Sequence, residues 1–275
     1  MYSPKETLEI TMQVGIKKAT NTAGRLMILA IAAGAFIAFA SEGSNMAAYN
    51  LFSDPSTYGL GKLVAGIVFP IGLVLVLCAG GELFTGNMLM LTAVLDRKIC
   101  PLRMLRNWII VFIGNAIGGI LIAWMMNASG LFASSAGQLG GVTIKIASYK
   151  AGLDFGAALT LGILCNWLVC CAVWMAYSAK SLPGKILAAY LPIWLFITSG
   201  FEHSIANFYY VPAGIFAKGN ALFAAASGLS AEALSQLSWS SFLLGNLLPV
   251  TLGNMIGGLV FVAGFYYFAY REKTL

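Results

Sequence analysis

One histidine occurs among the 275 residues, His203, and it follows a glutamate inside apolar sequence, Ser199-Gly200-Phe201-Glu202-His203. An imidazole exchanges protons near neutral pH, and an ionisable group at membrane depth marks a solute or proton pathway. A second interruption of similar composition, Ala79-Gly80-Gly81-Glu82, is followed by Thr85, whose hydroxyl could hydrogen-bond the same solute. Asn87 comes five residues after Glu82, and Asn207 five residues after Glu202. Each carboxylate could bind a permeating ion or accept from the loose N–H groups of its own loop. Two bare carboxylates would repel an anion, so the loop-bound reading is preferred for both. Lys150, just before the fourth apolar block, could draw anions toward a pore mouth. The cysteines (Cys78, Cys100, Cys165, Cys170 and Cys171) lie mostly in apolar blocks at spacings that fit no metal site. With a single histidine they point to neither zinc nor a disulfide framework, and no cofactor is expected. Asn127-Ala128-Ser129-Gly130 is the nearest approach to a nucleophile motif, but no histidine is expected near it, so an enzyme is not expected.

The elements that position these groups follow from composition. Hydrophobic residues make up 59% of the chain and charged residues 9%, too few to cover a soluble globule. Counting about 20 apolar residues per crossing gives spans near 26–50, 61–95, 107–130, 155–178, 186–216 and 240–269. Residues 4–22 read as a short surface helix begun by Ser3-Pro4. The whole chain, 1–275, is then one all-α membrane domain: an N-terminal helix within 1–25, a first repeat over 26–130 and a second over 155–270. The net charge of +6 is scattered at block ends, which speaks for topology and against nucleic acid. With the N-terminus inside, twelve basic residues (Lys5, Lys17, Lys18, Arg25, Arg97, Lys98, Arg103, Arg106, Lys180, Lys185, Arg271, Lys273) are internal. Four (Lys62, Lys145, Lys150, Lys218) are external, so both termini are expected in the cytoplasm.

The two halves resemble each other. Gly114-Asn115-Ala116-Ile117-Gly118-Gly119 recurs as Gly253-Asn254-Met255-Ile256-Gly257-Gly258, and Pro70 and Pro192 precede the two interruptions at similar distances. Three spans per copy turns the second copy upside down, the inverted arrangement of many transporters. Broken helices at membrane depth survive only where protein buries them or a wet cavity receives them. Their half-helix N-termini offer free N–H groups that suit an anion. The repeated glycines are read as permitting close helix contact.

The segments that carry these features resemble those of the formate/nitrite transporter family, which includes hydrosulfide channels. The likeness is densest in Gly81-Glu82-Leu83-Phe84-Thr85-Gly86, in Leu164-Cys165-Asn166-Trp167-Leu168-Val169-Cys170 with Ala172-Val173-Trp174-Met175, and in Ser199-Gly200-Phe201-Glu202-His203-Ser204-Ile205-Ala206-Asn207. The resemblance implies an aquaporin-like bundle of six transmembrane helices, an inverted 3+3 repeat with broken second and fifth helices. It further implies a homopentamer in a bacterial cytoplasmic membrane, with one pore per subunit. The family's pore threonine falls on Thr85, its central histidine on His203, its lysine on Lys150 and its span-four asparagine on Asn166. Glu82, Glu202 and Asn207 join them along the pathway, and the apolar constrictions fall on Phe69, Leu73, Phe84, Val169 and Phe196. The implied substrate is a small monovalent weak-acid anion: formate, nitrite or hydrosulfide. Apolar rings would strip its water, and His203 with Thr85 would offset the cost by donating a hydrogen bond or a proton. A proton-coupled carrier and a neutral-solute channel share these motifs and stay open at this stage.

Overall fold

The computed structural model describes residues 1–271; Lys273, counted among the internal basic residues, lies outside the described residues. The described chain is helical throughout: α1 (Pro4–Thr20), α2 (Ala23–Phe52), α3 (Tyr58–Gly80), α4 (Gly86–Leu95), α5 (Pro101–Ala128), α6 (Gln138–Ala151), α7 (Phe155–Ser178), α8 (Leu182–Ser199), α9 (Ser204–Ala217), α10 (Ala221–Ser227), α11 (Ala231–Gln236) and α12 (Ser241–Tyr270). Six of them, α2, α3, α5, α7, α8 and α12, are long and apolar enough to cross a membrane, and the protein is a multi-pass membrane protein. Ile109, Ile113, Ile117 and Leu121, one turn apart on α5, remain exposed on a face that suits lipid or a neighbouring apolar surface.

The two blocks expected as long interrupted spans are each divided, 61–95 into α3 and α4, and 186–216 into α8 and α9. Glycine ends the leading helix in both cases. Gly80 (φ +98°) and Gly200 (φ +79°) occupy the left-handed region that a side chain makes costly.

The bundle is locked by close approach of continuous helices, α2 against α5 and α7 against α12. A methyl group added at Gly118 would lie 2.1 Å from the Ile31 carbonyl oxygen, and one at Gly257 would lie 2.3 Å from that of Ile163. With little hydrophobic drive between helices in lipid, such backbone contact supplies the attraction. The repeated glycines therefore act as the sequence suggested.

Helix α1 begins where expected. Ser3 and Glu6 form a reciprocal capping box, with the Glu6 carboxylate accepting from the Ser3 N–H at 2.7 Å. These donors hold the exposed Glu6 carboxyl below its usual range. The helix does not simply rest on the surface, because Leu8 and Met12 are buried in the core.

Candidate functional site

Breaking two helices leaves backbone groups that must find partners away from water. In both breaks an asparagine near the middle of a continuous helix supplies them. Asn115 of α5 accepts from the Phe84 N–H at 2.9 Å and donates to the carbonyls of Glu82 and Ala30, both at 2.8 Å. Asn254 of α12 accepts from the Ser204 N–H at 2.9 Å and donates to Glu202 at 2.9 Å and Gly162 at 2.8 Å. The Glu82 and Glu202 N–H groups donate to Leu29 of α2 and Leu161 of α7, at 3.1 and 3.3 Å. The duplicated asparagine was visible in the sequence beside the duplicated glycines, but its role needs the fold.

The loop-bound reading of the two carboxylates does not hold, because both accept from side chains, while the Glu82, Phe84, Glu202 and Ser204 N–H groups are held elsewhere. Glu82 instead accepts from Lys18 of α1 and from Asn87, both at 2.8 Å. Asn87 also donates to Asn107 at 2.8 Å, and Asn107 donates to the Lys18 carbonyl at 3.4 Å. The other half closes the same ring. Glu202 accepts from Lys150 at 2.7 Å and Asn207 at 2.8 Å. Asn207 donates to Asn246 at 2.7 Å, and Asn246 to the Lys150 carbonyl at 2.9 Å. Lys150 is thus no loop lysine held free for anions. It stands in the last turn of α6, its side chain 12% exposed, paired with a carboxylate and lying 5.0 Å from the centre of the Tyr210 ring. Lys18, Asn107 and Asn246 were missed by sequence reasoning. Only the equal spacing of Asn107 from Asn115 and of Asn246 from Asn254 pointed to the asparagines.

The breaks meet at the chemistry-bearing residues. His203 Nε2 lies 2.9 Å from the Thr85 hydroxyl oxygen, and both residues are buried. His203 is also the cap residue of α9, its Nδ1 accepting from the Ala206 N–H at 3.2 Å. An accepting Nδ1 carries a lone pair, so the ring proton sits on Nε2 and points at Thr85. Thr85 Oγ accepts that bond and keeps its own O–H free to donate. Asn166 of α7 donates to the Thr85 carbonyl at 3.2 Å and to that of Asn254 at 2.7 Å, tying the first break to α7 and α7 to α12. Its buried Oδ1 has no partner among the described residues. The Cys170 thiol also reaches the Thr85 carbonyl, at 3.4 Å.

Among the expected constriction residues, Phe69 and Phe196 pack edge to face with ring centres 5.6 Å apart, and Phe196 lies 6.0 Å from the His203 ring. Leu73 and Val169 are buried on α3 and α7. Phe84 joins a different aromatic group, 4.9 Å from Phe112 and 6.4 Å from Trp108. A cavity of about 300 Å³ opens on the Glu202 side, its walls including Lys62, Tyr149, Lys150 and Tyr210. A larger hollow of about 840 Å³ between α1 and the end of α12 touches none of the expected pathway residues. Sequence reasoning also passed over Glu42, a buried α2 carboxylate that accepts from the Tyr209 hydroxyl.

A family profile described as "Formate/nitrite transporter" matches residues 5–268. The chain belongs to this family. The "Probable formate transporter" of Methanothermobacter thermautotrophicus is 35% identical, the match covering 98% of each protein. "Formate channel FocA" of Escherichia coli strain K12 is 38% identical over 98% of this chain and 95% of that relative. Among solved structures, a "Pentameric formate channel with formate bound" superposes with a TM-score of 0.80 at 39% identity, covering 90% of this chain and 97% of that one. An "FNT family ion channel" superposes with a TM-score of 0.81 at 28% identity, over 96% and 98%. These formate/nitrite transporter relatives are named as channels and transporters, not enzymes.

Proposed function

We propose that this formate/nitrite transporter family member is a channel for small monovalent anions of weak acids, formate among them, with one pore in each subunit of a homopentamer. The contact between Thr85 and His203, joining two broken helices beside the Phe69–Phe196 pair, carries this reading. Formate is the substrate named for its relatives, and the pentamer is the assembly named for a structural neighbour. Nitrite and hydrosulfide share formate's single charge and small size, so the same donors serve them. The positive-inside bias supports a cytoplasmic membrane location with the α1 end inside.

The energetics favour a donor at the crossing point. An unpaired anion in apolar surroundings is very costly, and hydrogen bonds to a charged group recover part of that cost. A passing anion can accept from the Thr85 hydroxyl and from the His203 Nε2–H, replacing the bond these two make to each other. Giving the anion a full proton asks more of the ring. It must first take a second proton at Nδ1, which releases the Ala206 N–H from its cap. The neutral ring is therefore a hydrogen-bond donor in this conformation, and transfer of a proton is a separate, costlier step. Asn166, Glu82, Glu202, Asn207 and Lys150 hold the breaks in place around that point. Phe69, Leu73, Val169, Phe196 and Phe84 make the apolar barriers.

Flux into proteoliposomes tests the reading. The purified protein is offered formate, nitrite, hydrosulfide, chloride and glycerol in turn across a range of pH. Entry of formate or another weak-acid anion with glycerol excluded is expected. Glycerol entry without anion flux would overturn the proposal and remove the donor role of His203.

A further inference from the structure

The cavity on the Glu202 side contains three lysines in its walls, Lys62, Lys145 and Lys150, against a single carboxylate, Glu202. Glu202 is committed to Lys150 at 2.7 Å. That pair presents a dipole, not a net charge, to anything in the cavity. Lys145 is exposed, so water and salt screen it. Lys62 differs from both. It is half-buried on the first turns of α3, with its ammonium 5.6 Å from the centre of the Tyr58 ring. No carboxylate lies within ion-pair distance of it among the described residues. Its Nζ stands beside the second break, 3.5 Å from where a Cβ on Gly200 would be. Gly200 holds a left-handed turn, so the ammonium reaches the break over backbone with no side chain in the way. The walls around it also carry the rings of Phe52, Tyr58, Tyr149 and Phe201. A half-buried ammonium with no carboxylate in contact, in a cavity with aromatic walls, leaves room beside it for an anion from solution.

We propose that this cavity is a binding site for monocarboxylates in which Lys62 pairs with the carboxylate while the aromatic walls hold its body. The site rests on the anion-channel reading, because it is the chamber from which a small carboxylate such as formate enters the crossing point at His203. Carboxylates with an aromatic body occupy the same site and stop there, since the Phe69–Phe196 pair bars a ring.

The test compares wild type with Lys62→Gln, Lys62→Arg and Lys145→Gln in proteoliposomes, with formate supplied from the cavity side. Lys62→Gln should raise the half-saturating formate concentration about tenfold, the factor expected for one charge-assisted hydrogen bond, with maximal rate unchanged. Lys62→Arg should restore it, and Lys145→Gln should leave it near wild type. Benzoate should compete with formate in wild type and lose that effect in Lys62→Gln. An unchanged half-saturation in Lys62→Gln, or an equal shift in Lys145→Gln, overturns the site. If wild type carries neither formate nor another weak-acid anion, the channel reading itself fails; in that case, or where only formate is not carried, calorimetric titration of the detergent-solubilised protein with benzoate decides this one. Binding to wild type that Lys62→Gln loses upholds the site, whereas no binding, or equal binding to both, overturns it.

Discussion

The two breaks share a scaffold and differ in what it carries. Counting from the glutamate of each, the second following residue is held by a core asparagine, Phe84 by Asn115 and Ser204 by Asn254. Around each glutamate runs the same ring of one lysine and two further asparagines. The first and third positions diverge. Leu83 and Thr85 stand in one break, His203 and Ile205 in the other. His203 caps its helix, and α9 proceeds directly from it. Leu83 has no atom that could cap, and α4 opens instead with tight turns over Gly86–Met90 that lack a side-chain cap. The repeated residues satisfy backbone and charge, which both halves need alike. The unrepeated ones supply the donors at the meeting point.

Removing the shared scaffold should hurt both halves equally. Asn115→Leu and Asn254→Leu each leave one buried N–H and one carbonyl of a break without a partner, at about 1–3 kcal/mol per group. Both variants should be the least stable of all, read as loss of folded protein on size-exclusion chromatography. Tolerance of one of them would break the symmetry between the two halves.

Lys18→Met and Lys150→Met come next. Each leaves a buried glutamate without its cation, a loss of about 3–5 kcal/mol for pairs this well shielded. The melting temperature should fall by similar amounts in the two. A fall in flux confined to Lys150→Met, with no change in melting, would instead return Lys150 to the role of anion collector.

The scaffold was only partly legible in the sequence. Six spans, two interruptions and the inverted repeat followed from hydropathy and duplicated motifs, because apolar length and glycine leave local signals. The partners of Glu82 and Glu202 did not. Lys18 and Lys150 lie on helices preceding each copy, outside the 26–130 and 155–270 limits, and no local pattern ties them to a glutamate more than fifty residues away. His203 and Thr85 were each recognisable as polar groups in apolar sequence, but their contact depends on how two distant breaks dock.

Thr85→Val tests the unrepeated positions. It keeps the shape and removes one hydroxyl donor, so flux should fall about tenfold or more, the equivalent of about 1.5–3 kcal/mol for a bond to a charged solute. Stability should fall modestly, by about 1–3 kcal/mol, because the buried His203 Nε2–H loses its acceptor. The Glu42–Tyr209 contact has no counterpart in the other half, where Trp174 and Leu89 occupy the matching positions. Tyr209→Phe leaves the buried Glu42 carboxyl without its donor, so it should cost about 1–3 kcal/mol and leave flux alone. The smallest effect concerns α1, whose capping box is absent from α6. Glu6 titrates below the usual carboxylate range, so the cap holds at neutral pH and is lost as pH falls through that lowered value. Protection of the first-turn amides of α1, taken relative to intrinsic exchange at each pH, should fall in acid while that of α6 does not.

The most direct measurement is formate flux across pH for wild type and His203→Asn, read beside their melting temperatures. Asparagine can cap α9 in place of the imidazole but cannot present the same N–H to Thr85. Unchanged melting with strongly reduced flux and an altered pH profile is expected. Normal flux with a normal pH profile in His203→Asn would contradict it, leaving His203 a helix cap and the unrepeated residues without the function assigned to them.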